Sequence, residues 1–393
     1  MKRRNEDLRI LHLSSFPPRL CGIANFCKQI VSAISKIDTS AHQKVIALEE
    51  NENVKREYPP LVSLRIIQED LSSYEKAGKW IGKSGANVLF LQHEFNLFGG
   101  FDGIFILELL KRVKIPIISF LHTVPVLKNS MRRNYRLRIL KEIAKKSKFL
   151  CLPSRKAIEF LNQECKIKKE KMIFLPHGGF ELPFANEKER EELKKKYNFS
   201  GKFLVLSYGL IIKSKGFEYA IEAIAKIKGK FPHLRYLILG VPHPLLQESP
   251  ENNYYLGLKE KVKKLKLEER VIFLQKFITQ KELIDYLRMA DVVLLPYTTK
   301  YQISSGVLTH AMTVGACIVS TPFIYAKEIL GNGRGIFIEF ENPDSIAKKL
   351  IFLIKNHQEI EKLRKKTWEF GRNFGWKKIS EKILLIFSQA KKH

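Results

Sequence analysis

Residues 203–223 read FLVLSYGLIIKSKGFEYAIEA. Positions 203–207 form a short, nearly continuous apolar run, the signature of a strand buried on both faces. Gly209 and Gly216 punctuate the turn that follows, and 217–228 carries apolar residues at helical spacing. The longest apolar stretch, 203–212, holds Ser207 and Gly209 and is about half the length a membrane span needs. A buried strand, a glycine-containing turn and a helix together make one parallel α/β unit.

The same unit recurs on both sides. Toward the amino terminus, strands are predicted at 8–13, 88–92, 116–121, 149–152 and 172–175, with a helix at 24–35 after Pro17, Pro18 and Gly22. Toward the carboxyl terminus, strands are predicted at 236–239, 271–274, 292–295 and 316–320, and helices at 259–265, 280–289, 306–314 and 343–356. A Glu- and Lys-rich stretch, 183–199, with a helix at 187–196, separates the two runs, and the boundary is placed near 181–186. An amphipathic segment, 358–391, interrupted around 371–375, closes the chain. The expected domains are 1–183, 184–370 and a helical segment 371–393. The fold class is α/β, with two doubly wound Rossmann-like domains facing a central cleft. Ligands in such sheets bind beyond the carboxyl ends of the strands.

Composition is globular: 45% hydrophobic and 28% charged over 393 residues. The charged start, 1–9, is followed by an apolar run that stops at Ser14, so no signal peptide is read and a cytoplasmic protein is expected. Cys21, Cys27, Cys151, Cys165 and Cys317 are scattered without zinc-ligand spacing, which predicts free thiols in a reducing compartment. The formal charge of +29 invites nucleic acid, anionic lipid or anionic small substrates as partners. No DNA- or RNA-binding module is recognisable, which disfavours nucleic acid. Between Lys128 and Lys148 nine basic residues face the single acid Glu142. There Leu137, Leu140, Ile143 and Ala144 share a helical face, extended by Met131, and the basic side is expected to point outward, either as a merely solvated surface or toward an anionic lipid or lipid-linked acceptor.

Five constellations stand where a doubly wound fold places ligands. FPPRLCGIA at 16–24 puts Gly22 at a strand-to-helix turn, where backbone approaches a ligand. Gln92, His93 and Glu94 end a strand and are expected to point into the cleft. His122 and Thr123 end another. Lys215 and Gly216 precede a helix start, without the glycine spacing of a P-loop. Ser304, Ser305 and Gly306 open the helix at 306–314, a place that either caps the helix or holds an anion. There is no nucleophile elbow, no His-Glu-x-x-His and no Asp-x-Asp pair, so covalent and metal hydrolysis have little support.

In their order, FPPRLCGIANF at 16–26, LQHEFNLFGG at 91–100, SYGLIIKSKGFEYAIEA at 207–223 and ADVVLLPYTTKYQISSGVLTHAMTVGACIVSTPFIYAKEIL at 290–330 resemble a family 4 glycosyltransferase of the GT-B fold, mannosyltransferase-like branch. The resemblance covers nearly the whole chain. It implies retaining transfer of a hexose, without a metal or other cofactor. The donor would be a nucleotide-diphosphate sugar, GDP-mannose for this branch, held by the carboxyl-terminal domain. A saccharide or lipid-linked glycan would be the acceptor, on the amino-terminal domain, with Gln92, His93 and Glu94 as candidates. A carboxyl-terminal helix crossing back to the amino-terminal domain is expected with this fold, and the basic segment 128–148 adds a place at the inner membrane face.

By the same resemblance Lys215 faces the donor diphosphate, and His122 lies near the transferring sugar. Gly22 approaches the donor, and the backbone of Gln302, Ile303, Ser304, Ser305, Gly306 and Val307 cradles sugar and diphosphate. Two departures stand out. The arginine usual five positions before the lysine is Leu210 here. The family's paired glutamates are Gln302 and His310, which can hydrogen-bond sugar and ribose hydroxyls but supply no fixed carboxylate charge. The departures admit an alternative, a non-catalytic or phosphorylase-like relative that binds sugar or nucleotide.

Overall fold

The structure is a computed structural model, and it describes residues 7–126, 130–241, 250–274 and 278–391. The chain divides into two compact units. The first is Met1–His177 with Trp376–His393, and the second is Gly178–Gly375. The reading at 181–186 puts the first join a few residues later, and that at 370/371 puts the return earlier. Gly179 nevertheless pairs with Gly375, so both ends of the second unit close on each other.

Seven strands build the first unit: β1 (Arg9–Ser14), β2 (His42–Glu49), β3 (Val62–Ile67), β4 (Val88–His93), β5 (Ile117–Leu121), β6 (Phe149–Leu152) and β7 (Met172–Phe174). They lie in the order β3-β2-β1-β4-β5-β6-β7, and every pairing is parallel. The central strands β4 and β5 are buried throughout, which is why they read as unbroken apolar runs. β2 and β3 were not predicted. β2 opens on exposed His42 and Lys44, and β3 is an edge strand with exposed Ser63 and Arg65, so their apolar runs are short.

Helix Gly22–Ile37 buries Ala24, Phe26, Cys27, Ile30 and Ile34, spaced three and four apart, on this sheet. Helix Trp376–Lys391 returns to the first unit, as expected, and lays Ile379, Ile383 and Phe387 into the same core, with Phe387 edge-on to Phe90 at 5.1 Å.

The second unit holds β8 (Phe203–Tyr208), β9 (Leu234–Leu239), β10 (Val271–Leu274), β11 (Val292–Leu295), β12 (Ile318–Ser320) and β13 (Ile336–Phe337), in the order β10-β9-β8-β11-β12-β13, again all parallel. Strand alternation divides its core. Val205, Val292 and Leu294 face one helical layer, while Leu204, Leu206, Val293 and Leu295 face the other. At the amino-terminal ends of β8 and β11 the buried Asp291 takes Arg190 and Lys194 of helix Glu187–Lys196 and the Leu204 amide. That network anchors the first helix of the unit to its sheet.

In each sheet the strand order reverses once, between β1 and β4 and between β8 and β11. Loops leaving the carboxyl ends of such neighbours diverge to opposite faces and open a crevice. The constellations of Gly22, of Lys215 and of residues 304–306 sit on these loops; Gln92 and His93 end β4 itself with Glu94 just beyond, and His122 follows β5 alongside β4.

Candidate functional site

In the second unit the chain leaves β8 through Gly209, whose φ of 125° is closed to other residues. It then makes a short 3-10 turn, Lys213–Lys215, before helix Phe217–Ile227. Gly216 joins the two at φ 65°, and a Cβ there would stand 2.1 Å from the Pro296 carbonyl oxygen. The Thr298 amide donates to the Ser214 carbonyl at 3.1 Å. The turn is therefore fastened to the loop after β11, and Lys215 Nζ stands 3.8 Å from the centre of the Tyr297 ring.

The same loop continues to helix Gly306–Thr313. Ser305 is its N-cap and accepts from the Leu308 amide at 3.1 Å, so the capping role holds for Ser305, and Ser304 stays partly exposed beside it. Gln302 donates its side-chain amide to the Ser304 carbonyl at 2.7 Å, and its backbone carbonyl accepts from the Tyr325 amide at 3.0 Å. Ile303 turns its side chain into the core, leaving only its backbone to the loop surface. Gly306 and Val307 lie partly exposed at the helix start, where the positive end of the helix dipole favours an anion. His310, one turn further, stacks on Phe180 at 4.6 Å and meets the Tyr208 hydroxyl through Nδ1 at 2.9 Å.

In the first unit, Cys21 caps helix Gly22–Ile37, its Sγ accepting from the Ala24 amide at 3.4 Å. Arg19 ties the loop down by donating to the Leu48 carbonyl at 2.9 Å and pairing with Glu50 at 3.1 Å. Gly22 is exposed, and a Cβ there would meet nothing within 4 Å. The packing of the protein itself does not demand glycine at 22, which leaves room for a ligand to approach its backbone. His122 packs against Phe26 at 5.0 Å and Phe120 at 4.6 Å, and its Nε2 meets Gln92 Oε1 at 2.9 Å. Burial, helped by the neighbouring His177 and His93, pushes its pKa down to about 3, so it is neutral at ordinary pH.

The expectation that Gln92, His93 and Glu94 all point into a cleft is corrected for Gln92 and His93. Gln92 and His93 have no exposed surface. Both faces of β4 are covered, so strand alternation sends each side chain into packing rather than solvent. His93 is wedged between Phe95 at 5.0 Å and Phe98 at 5.8 Å, with its pKa lowered to about 3 by burial and the nearby Arg136. Glu94 remains partly exposed. Its carboxylate accepts from Thr123 and from the Phe95 amide, while burial raises its pKa. The glycines after it are architectural: at Gly99 a Cβ would fall 1.7 Å from the Gln68 carbonyl oxygen.

The basic helix Met131–Lys146 also differs from its reading. Arg132 and Arg136 both pair with Asp102 at 2.7 Å, and Arg133 pairs with Glu164 at 2.7 Å. Met131 is 91% exposed and does not extend the apolar face. Lys145 pairs with Glu142 at 2.6 Å, so the outward positive charge comes from Arg138, Lys141, Lys146 and Lys148, and Lys128 lies outside the described residues. Among the described residues no helix is long and apolar enough to cross a membrane, and no three His, Cys, Asp or Glu side chains converge as metal ligands. All five cysteines are free.

Two tandem doubly wound α/β units are the plan of GT-B glycosyltransferase structures. The chain overlays Anabaena HepE in complex with UDP at a TM-score of 0.75 and 14% identity, covering 97% of this chain and 100% of that one. Residues 189–374 match the model of the family Glycosyl transferases group 1. Spore coat protein SA of Bacillus subtilis is 25% identical over 211 residues, 52% of this chain and 53% of that protein. Mannosylfructose-phosphate synthase of Agrobacterium fabrum is 23% identical over 234 residues, 58% of this chain and 50% of that protein. The chain thus spans about half the length of these two curated relatives.

Tyr208 and Tyr297 were missed as site residues. Tyr208 is the last residue of β8 and Tyr297 stands two residues after β11, so their place at the ends of two apolar strands at the switch point of the second sheet was the available signal.

Proposed function

We propose that this chain is a retaining hexosyltransferase, taking its sugar from a nucleotide-diphosphate donor without a metal. The observation that carries this reading lies in the second unit. The segment that matches the group 1 family brings Lys215 and the start of helix Gly306–Thr313 to the loops of one switch point. Breaking the bond between sugar and phosphate puts negative charge on the departing diphosphate. An ammonium and an aimed helix N-terminus stabilise that charge, and such donors are commonly worth about 3–4 kcal/mol each. Gln302 and His310 serve the sugar and ribose hydroxyls. Retention follows from attack on the face the phosphate leaves, with the phosphate oxygen taking the acceptor proton. No side-chain base is then required, in keeping with a neutral His122 that orients through hydrogen bonds.

The donor we propose is GDP-mannose, and the acceptor a saccharide or lipid-linked glycan received by the first unit, with Glu94 its partly exposed candidate contact. The likeness to mannosylfructose-phosphate synthase supports a mannosyl donor. The likeness to HepE, described in complex with UDP, favours a second reading with a UDP-sugar. Thermal-shift screening against GDP-, UDP- and ADP-sugars, followed by transfer assays, separates these, since a ligand of the folded state raises the melting temperature. Stabilisation by UDP- or ADP-sugars and not by GDP-mannose overturns the donor assignment. Binding without hydrolysis or transfer points instead to a non-catalytic relative.

A further inference from the structure

Lys215, the ammonium of the proposed donor site, rests on an aromatic face, and how it is held there is set by residues distant in sequence. Tyr297 is 2% exposed and stacks on Phe323 with ring centres 5.2 Å apart and planes 17° from parallel. Its hydroxyl has no hydrogen-bond partner among the described residues. The ring is thus fixed by packing alone. Above it, the Lys213–Lys215 turn is locked by the contact of Gly216 with Pro296 and by the hydrogen bond from the Thr298 amide to the Ser214 carbonyl. These two fastenings flank Tyr297 and hold the lysine backbone at a fixed height over the ring.

A lysine on a flexible four-carbon stem otherwise loses rotamer freedom when it meets a ligand. Here the negative face of the Tyr297 ring holds the ammonium before any ligand arrives. Because an ammonium carries three N–H donors, seating one side on a ring leaves donors for an anion on the other. We propose that Tyr297 is a positioning residue for the diphosphate of the donor. Its ring, and not its hydroxyl, keeps Lys215 aimed. This deepens the proposed function and rests on it for the identity of the anion.

The test measures binding to the full chain of a free nucleoside and of its diphosphate, guanosine with GDP and uridine with UDP. The ratio of the two affinities isolates the diphosphate contribution without requiring turnover. Tyr297→Leu is expected to reduce that ratio about tenfold, the range of a partly desolvated cation–π contact. Tyr297→Phe, which keeps the ring, is expected to restore it to within about twofold of wild type. In a Lys215→Ala background, Tyr297→Leu should cost nothing further, because Tyr297 acts only through Lys215. Should the leucine variant not fold, fluorinated phenylalanines at 297 preserve the ring's shape while draining its face of negative charge, and the ratio should fall with each added fluorine. Equal losses for phenylalanine and leucine, a flat fluorine series, or an undiminished leucine effect without Lys215 would each overturn the proposal. A wild-type chain that binds the diphosphates in this way but transfers no sugar would instead count against the transferase reading alone.

Discussion

The Tyr208 hydroxyl lies 2.9 Å from Nδ1 of His310, so this imidazole is held in place by the last residue of β8. The same hydroxyl reaches the Val307 carbonyl at 3.3 Å, and Phe180 stacks on the other side of the imidazole. Burial raises the Tyr208 pKa well above its ordinary value, which keeps it a neutral hydroxyl. Tyr208→Phe removes this partner. A lost buried hydrogen bond costs about 1 kcal/mol, which corresponds to about fivefold in affinity if the His310 ring serves the ribose. Calorimetric titration with the free nucleoside diphosphate reads the effect, and unchanged affinity would detach Tyr208 from the site.

Lys215→Ala is expected to lower turnover by roughly a hundredfold or more, since one charge facing the diphosphate is lost. The circular dichroism spectrum and melting curve of the variant serve as the folding control. Wild-type turnover in a folded variant removes Lys215 from the site.

Gln302 braces its own loop through the Ser304 carbonyl. Gln302→Ala should therefore impair transfer more than binding of the free nucleotide, if this side chain serves the sugar. Gln302→Glu should not raise activity, because a carboxylate cannot donate to the Ser304 carbonyl. Steady-state kinetics beside nucleotide titrations decide the matter, and equal losses of transfer and binding in the alanine variant would argue against a sugar contact.

Acid should loosen the first unit. Burial is the leading cause that lowers His12 to about 4 and His93 and His122 to about 3 from an ordinary 6.5. Between those values and 6.5 the unfolded chain binds more protons than the folded one, so stability is fully present above pH 6.5 and is lost as pH falls toward 3. The ring nitrogens of His93 have no hydrogen-bond partner among the described residues. His93→Phe should accordingly flatten the pH dependence of the melting temperature between pH 6.5 and 4 by up to one proton's worth, about 1.4 kcal/mol per pH unit. An identical slope in the two proteins would contradict the shift at His93.

The outward residues Arg138, Lys141, Lys146 and Lys148 lead us to propose a weak, reversible contact with anionic lipid at the inner membrane face. Each basic residue near such a surface contributes about 1 kcal/mol, less as salt rises. Co-sedimentation should show more protein on anionic than on neutral vesicles at low salt, and Lys146→Glu with Lys148→Glu should weaken it. Equal binding to both vesicle types at low salt ends the membrane assignment.

The sequence by itself determined the two parallel α/β halves, because strands buried on both faces must be written as unbroken apolar runs such as VVLL at 292–295. It also determined where the site loops fall, since Gly209, Gly216 and the capping Ser305 mark turns and a helix start by local chemistry alone. Edge strands such as β3 escaped it, because alternation and solvent exposure dilute the apolar signal there. Only the tertiary structure decided which polar side chains at strand ends face outward. His93 and Glu94 are neighbours in sequence, yet one is sealed between Phe95 and Phe98 while the other is partly exposed, and that outcome depends on what packs over each face. The same holds for charge: Arg132 and Arg136 read as part of an outward basic face until the fold brings Asp102, some thirty residues away in the chain, beneath them. It holds again for the seat of Lys215 on Tyr297, since local periodicity carries no record of which loops meet at a switch point, and only the strand order β8-β11 makes them neighbours.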